Sequence, residues 1–199
     1  MPALSSRTKI IALFCAFAAG ALLLLVGITA LMPERPGVNT ASLVGGPFKL
    51  VDQDGAPVTE AAFKGKPTLL FFGFTHCPDV CPTALFEMSE IFNAMGPDAD
   101  KARAVFVTVD PERDTPELMK SYVSSFAPQI RGFTGTPEQI DVIKKAYRVY
   151  SRRVPLADGD YTMDHTAVVY LLDKTGTFVM PFNSKRPPAE AAAELKRYL

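Results

Sequence analysis

The sequence predicts an α/β domain, in which helices are layered on a mainly buried sheet, preceded by one apolar N-terminal helix. Two continuous apolar runs, at 68–74 and 104–109, are typical of strands that are buried on both faces. A segment with helical character follows each run, and the chain closes with a strand hairpin and a last helix. Because strands alternate with helices along the chain, a layered α/β arrangement is favoured.

The apolar run at 10–32 contains no charged side chain. At about 1.5 Å per helical residue, it is long enough to cross a hydrocarbon core of roughly 30 Å. Arg7 and Lys9 precede it, so we predict that 1–9 is cytoplasmic, that 10–32 is a transmembrane anchor and that the main domain lies outside. The alternative is a cleaved signal peptide, whose apolar core would span only about 7 to 15 residues. Cys15, inside the run, is interpreted as a small apolar residue.

A linker is predicted at 33–47, where proline and glycine are concentrated, and the folded domain at 48–199. If the linker is flexible, it reaches on the order of 20 Å, which would keep the domain close to the membrane surface. The chain balances 21 Lys and Arg against 21 Asp and Glu and has no basic run. This composition gives no support for nucleic-acid binding.

The predicted domain begins with a short strand at 48–52, which enters an Asp-Gly turn at 53–55. The buried strand at 68–74 comes next. A helix is then predicted over 82–95, where apolar residues recur at helical spacing: Leu85, Met88 and Phe92. The second buried strand, at 104–109, follows this helix.

Two Thr-Pro pairs, at 115–116 and 136–137, predict the next two helices, because threonine is a good N-cap and proline suits the first helical position. Strands at 166–172 and 178–182 flank a turn that contains Asp and Gly, and so form a hairpin. The last helix is predicted from about Pro188 to the end of the chain.

The chemistry of the chain concentrates at Cys77 and Cys81, in the loop between the strand 68–74 and the helix 82–95. Open α/β sheets place their sites at this end of their strands. Thiols four residues apart can share one face of a helical turn, about 5–6 Å from each other. The pair could form a structural disulfide, exchange disulfides or bind a soft metal, and the spacing alone leaves these possibilities open. Outside the cytoplasm the two thiols would tend to form a disulfide.

His165 is the candidate third member of this site. Two thiolates and an imidazole are a soft donor set that suits Cu(I) and tolerates Cu(II), whereas zinc would take a fourth ligand. Asp164 could orient the His165 ring. The alternative is that His165 is a surface or capping residue in a loop before a strand. His76 is expected to point away from Cys77, because successive side chains of a strand face opposite sides.

Three segments of the sequence closely resemble the Sco/SenC family of membrane-anchored, thioredoxin-like copper proteins that assemble cytochrome c oxidase. The segments are GFTHCPDVCP at 73–82, VDPERDT at 109–115 and DHT at 164–166. The resemblance extends over essentially the whole chain. It implies a thioredoxin-like sheet flanked by helices.

The resemblance also implies that copper is bound by Cys77, Cys81 and His165 and delivered to the CuA centre of oxidase subunit II. One alternative is a thiol–disulfide oxidoreductase that reduces the cysteines of that subunit, with Cys77 attacking and Cys81 resolving. Another is a redox or copper sensor. A thioredoxin-like reductant is the further expected partner. The expected location is the inner membrane, with a single span and the C-terminal domain in the periplasm.

The segment 110–114 belongs to the same resemblance, but its role is left open. One interpretation is a loop at the start of a helix, with solvated charges. The other is a rim near the metal that helps to dock a partner.

Overall fold

The structure, a computed structural model, describes residues 43–157 and 159–199 in full. It also describes five isolated helical residues near the N-terminus: Phe17, Ala19, Gly20, Leu22 and Leu24. Within all of these residues, no helix combines the length and the apolar character that a membrane crossing requires. The predicted cytoplasmic segment 1–9 lies outside the described residues, as does nearly all of the predicted anchor at 10–32.

Residues 1–38 and 39–199 form two compact units. Most of the predicted linker lies outside the described residues, but its last five positions are described. There the Gly45 N–H donates a hydrogen bond of 2.8 Å to the Ala146 carbonyl, and Val44 packs against the core. These last positions therefore lie against the folded domain.

The described part of the domain contains nine strands and four α-helices. The strands are β1 Lys49–Asp52, β2 Pro57–Thr59, β3 Thr68–Gly73, β4 Arg103–Thr108, β5 Ile130–Thr134, β6 Ser151–Pro155, β7 Tyr161–His165, β8 Val169–Leu172 and β9 Phe178–Phe182. The α-helices are α1 Val80–Met95, α2 Pro116–Val123, α3 Pro137–Ala146 and α4 Pro188–Lys196. Short 3₁₀ turns occupy Glu60–Phe63 and Gly96–Lys101.

Seven strands form one mixed sheet in the order β2-β1-β5-β4-β3-β8-β9. The central strands β3, β4 and β5 run parallel, whereas β8 pairs antiparallel with β3. All six residues of β3 are buried, and so is β4 except for its first residue. The prediction of an α/β domain with two doubly buried central strands is therefore confirmed.

The two Thr-Pro pairs start helices as predicted. Thr115 caps α2 by accepting a hydrogen bond from the Leu118 N–H, at 3.3 Å. Thr136 and Gln139 form a reciprocal capping box at the start of α3, in which each side chain accepts from the other residue's backbone N–H. The hairpin of β8 and β9 and the helix from Pro188 are also confirmed.

Two predictions at the site are wrong in detail. The helix after β3 begins at Val80 rather than at residue 82, so Cys81 lies in its first turn instead of in a loop. His165 is the last residue of β7 rather than part of a loop before a strand, and strand β8 starts only at Val169. The separate two-stranded sheet of β6 and β7 was not predicted, because none of its side chains is fully buried and its sequence shows no apolar alternation.

Candidate metal centre

The two cysteines are placed by the turn that joins β3 to α1. Strand β3 ends at Gly73, and the Cys77 N–H then donates to the Phe74 carbonyl at 3.3 Å, which closes a tight turn. Cys81 follows in the first turn of α1, and its backbone N–H donates to the Cys77 sulfur at 3.4 Å. Both residues are free cysteines; Cys77 is half-buried and Cys81 is fully buried.

His165 completes the group from the end of β7. Its Nε2 lies 3.7 Å from the Cys81 sulfur, and its Nδ1 lies 3.2 Å from the Thr166 carbonyl. Since a carbonyl only accepts, Nδ1 carries the proton in this arrangement, and the Nε2 lone pair faces Cys81. Burial lowers the pKa of His165 and thus favours the neutral imidazole, which is the form that binds metals.

One ligand atom from each of Cys77, Cys81 and His165 lies within 4.8 Å of the other two. Atoms this close can surround a single ion with small side-chain movements. Burial is the main cause that raises the pKa of the Cys81 thiol, so an ion bound there would displace a proton near neutral pH. Two sulfurs and one imidazole nitrogen form a soft set of low coordination number.

His76 lies outside this group, as predicted. Its side chain is 48% exposed, its Nδ1 lies 3.1 Å from the Thr75 hydroxyl, and the same atom is 3.9 Å from a carboxylate oxygen of Asp114. The predicted reason was incomplete, because β3 ends before this residue. The turn at 75–76, rather than strand alternation, directs the ring away from the cysteines. Asp164 is exposed and pairs with Arg152 at 3.6 Å. Burial lowers the pKa of His165, and the negative charge of Asp164 opposes this effect.

The segment 110–114 is only partly solvated: Asp110 is 2% exposed and Asp114 is fully buried, whereas Glu112 is exposed. The Asp114 carboxylate accepts three hydrogen bonds: from the Thr75 backbone N–H at 3.1 Å, from the Thr75 hydroxyl at 2.6 Å and from the Thr108 hydroxyl at 2.6 Å. Burial raises the pKa of Asp114, although these bonds oppose the rise. Asp114 therefore ties the turn that precedes Cys77 to the end of β4.

We expect Asp114→Ala to lower the free energy of unfolding by about 3 kcal/mol, because it leaves three donors without an acceptor. Asp114→Asn keeps one acceptor oxygen and should cost less. Chemical denaturation measures both values. Asp141→Ala removes an exposed carboxylate that pairs with Lys144 and should change stability by less than about 0.5 kcal/mol. Equal stability of Asp114→Ala and Asp141→Ala would contradict this role of the buried carboxylate.

Comparisons with known proteins, by sequence and by structure, all match one family. The SCO1/SenC family model matches residues 37–199. The mitochondrial SCO1 homolog of Mus musculus is 41% identical over 160 residues, which cover 79% of this chain and 56% of the mouse protein. The chain thus spans little more than half the length of that relative.

Solved structures share the fold. The copper-bound structure of ScoI from Bradyrhizobium japonicum matches with a TM-score of 0.76 and 63% identity, covering 78% of this chain and 99% of that one. BsSco, a member of the Sco family of cytochrome c oxidase assembly proteins, matches with a TM-score of 0.60 and 23% identity. It covers 78% of this chain and 92% of its own, and at this identity the match concerns the fold alone.

Proposed function

The chain belongs to the SCO1/SenC family, and from this premise we propose that it is a copper chaperone in cytochrome c oxidase assembly. Copper is its cargo, held by Cys77, Cys81 and His165 and delivered to the CuA centre of oxidase subunit II. The single observation that supports this proposal most is the convergence of three soft ligand atoms within 4.8 Å.

The exposure of the site suits transfer. Cys77 is only half-buried. Val80, which precedes Cys81, and Tyr150, whose backbone bonds Thr166 next to His165, are 48% and 53% exposed. An acceptor thiolate could therefore approach the ion from the Cys77 side and replace one ligand at a time. Cys81 and His165 would hold the ion from the buried side until the exchange is complete.

A thiol–disulfide oxidoreductase is the second candidate, and the unequal burial of the two sulfurs favours it. The half-buried Cys77 thiolate would attack a disulfide of subunit II and form a mixed disulfide. The Cys81 thiolate would then attack the Cys77 sulfur, which releases the reduced target and leaves a Cys77–Cys81 disulfide. A thioredoxin-like reductant would have to supply two electrons to restore both thiols. A redox or copper sensor would use the same residues without transfer.

We further propose that 10–32 anchors the protein in the inner membrane. In this arrangement 1–9 is cytoplasmic, the part of 33–47 before residue 43 is a linker, and the domain that follows holds the copper site in the periplasm. The arrangement would place the site near the outer domains of membrane complexes.

His165→Ala separates the two candidate functions. We expect copper affinity to fall well over tenfold, because one ligand contributes roughly 3 kcal/mol, and loading of CuA to collapse, because the two thiolates alone cannot complete the three-ligand site. Disulfide reduction should persist, since it needs only the cysteines. Competition with a chelator measures affinity, the CuA absorption bands measure loading, and thiol labelling of subunit II measures reduction.

His76→Ala is the matched control, because it removes the only other histidine of the chain, an exposed one outside the ligand group. It should leave all three readouts unchanged. If His165→Ala leaves affinity and loading at wild-type values, His165 is not a copper ligand. If copper affinity falls whereas loading and reduction both persist, the oxidoreductase becomes the better description.

A further inference from the structure

The hairpin that carries His165 needs support from elsewhere in the fold. Strands β6 and β7 pair only with each other, and a two-stranded hairpin is marginally stable by itself in water. At the His165 end the hairpin continues into the rest of the chain, and two hydrogen bonds between its own strand ends close it: from the Thr166 N–H to the Tyr150 carbonyl at 3.0 Å and from the Tyr150 N–H to the Thr166 hydroxyl at 3.1 Å. The other end of β7 requires a separate attachment.

A stack of two arginines on one tyrosine supplies that attachment. The guanidinium carbons of Arg113 and Arg153 lie 3.7 and 3.8 Å from the centre of the Tyr161 ring. Two guanidinium groups this close to one ring centre must occupy its opposite faces, since they would collide on the same face. We call this arrangement the Arg113–Tyr161–Arg153 stack. It joins the loop after β4 to both strands of the hairpin.

Acidic side chains neutralise the stack. Asp110 accepts from the Arg113 Nε at 2.5 Å and from the Tyr161 hydroxyl at 3.0 Å. Arg113 also donates to the Tyr161 carbonyl at 3.0 Å, and Arg153 pairs with Glu112. The side chains of Arg113 and Asp110 are only 17% and 3% exposed, so water competes little for this ion pair. The stack is thus fixed by charge and by ring contact together.

The stack reaches the His165 ring by two routes. Along β7, Tyr161 is four residues from His165 in the same strand. Through space, the Arg113 guanidinium lies 5.9 Å from the Phe74 ring, and that ring meets the His165 ring edge to face at 5.8 Å. Loss of the stack would therefore free the far end of β7 and remove the support behind Phe74.

We infer that the Arg113–Tyr161–Arg153 stack positions His165 against Cys81. Its three members are positioning residues: they touch neither the sulfurs nor an ion, and act only through His165. The expected effect of the stack on copper affinity rests on the proposed function. The structural part of the inference, that the stack sets the orientation of the His165 ring, holds in the metal-free protein.

The test uses Tyr161→Leu and Arg153→Met in the full-length protein. Arg153 is 46% exposed, so its replacement leaves the buried Arg113–Asp110 ion pair intact and should not prevent folding. Arg131→Met is the matched control, since Arg131 is 44% exposed and pairs with Asp52 and Asp54 on another part of the sheet. Each substitution is made in the wild-type background and in the His165→Ala background.

We expect Tyr161→Leu to lower Cu(I) affinity about tenfold, as is usual for losing an outer partner of a ligand. Arg153→Met should lower it severalfold, and Arg131→Met should not change it. In the His165→Ala background, neither stack variant should lower affinity further, because the residue through which they act is gone. Equal losses in both backgrounds would overturn the inference.

A measurement on the metal-free protein distinguishes failure of this inference from failure of the proposed function. The chain has two histidines, so its proton NMR spectrum contains two Hε1 signals, and His165→Ala assigns them. In Tyr161→Leu and Arg153→Met the His165 signal should shift or broaden, whereas the His76 signal should stay in place. An unchanged His165 signal in both variants overturns the inference even if copper binds. A changed signal in a protein that binds no copper supports the positioning role and refutes the chaperone.

Discussion

Cys81→Ser is expected to lower copper affinity at least about 100-fold and to abolish CuA loading. A four-ligand zinc site gains about 10–16 kcal/mol, or roughly 3 kcal/mol for each ligand, which corresponds to about 100-fold in affinity. The loss should be larger than for His165→Ala, because an anionic thiolate is a softer ligand for copper than a neutral imidazole, and the hard serine hydroxyl does not replace it. Chelator competition under reducing conditions measures the affinity.

Two controls accompany this prediction. Cys15→Ser makes the same chemical change at the remaining cysteine, in the predicted anchor, and should leave copper affinity unchanged. Since Cys81 is fully buried, Cys81→Ala is tested as well, because it introduces no buried hydroxyl. Copper binding of wild-type strength by either folded Cys81 variant would show that this sulfur is not a ligand.

Gly73→Ala should damage both the stability of the domain and its copper site. A Cβ atom at position 73 would lie 2.6 Å from the Cys81 sulfur and 2.6 Å from Cε2 of Phe106, both of which are fully buried. One of these groups must move, and overpacking of this kind costs about 1–3 kcal/mol. If the sulfur moves away from His165, copper affinity should fall by about tenfold. Denaturation and chelator competition measure the two effects.

Gly132→Ala is the control for overpacking alone. There the new Cβ would meet Cε of Met119 at 3.1 Å, which is the end of a flexible side chain, and Gly132 lies on β5, away from the sulfurs. It should reduce stability less and leave copper affinity unchanged. If Gly73→Ala lowers stability but binds copper as tightly as the wild type, the Phe106 ring has moved instead of Cys81. The proposed link between Gly73 and the site would then be wrong.

Strands β3 and β4 of the main sheet were predictable because they are buried on both faces, which makes them continuous apolar runs. Strands β2 and β5 of the same sheet were not predicted; β2 has only three residues, and Arg131 and Gly132 interrupt the apolar pattern of β5. Helices α2 and α3 were predictable because their Thr-Pro starts act within four residues. The hairpin of β6 and β7 was missed for the opposite reason. None of its side chains is fully buried, and its strands contain Arg152, Arg153 and Asp164, so neither apolar periodicity nor a strong turn signal marks them.

The residues of the site also divide into those that the sequence identifies and those that only the structure identifies. Cys77 and Cys81 stand out in the sequence because they are close together after a buried strand. Asp114 and Arg113 stand out only as part of the resemblance at 109–115, since a charged residue in a loop gives no sign of its burial or its role until its partners are known. Thr75 and Thr108, which bond Asp114, and Tyr161, which stacks on Arg113, all come from other segments of the chain.

The sequence by itself therefore determined the kinds of donor atoms, their order along the chain and the family to which they belong. These depend on residue identity and short spacings. Only the tertiary structure decided that His165, 84 residues after Cys81, brings its Nε2 to 3.7 Å from that sulfur. It also decided what holds His165 there. Such contacts depend on how β7, α1 and the loop after β4 pack together, and no local pattern in the chain encodes that packing.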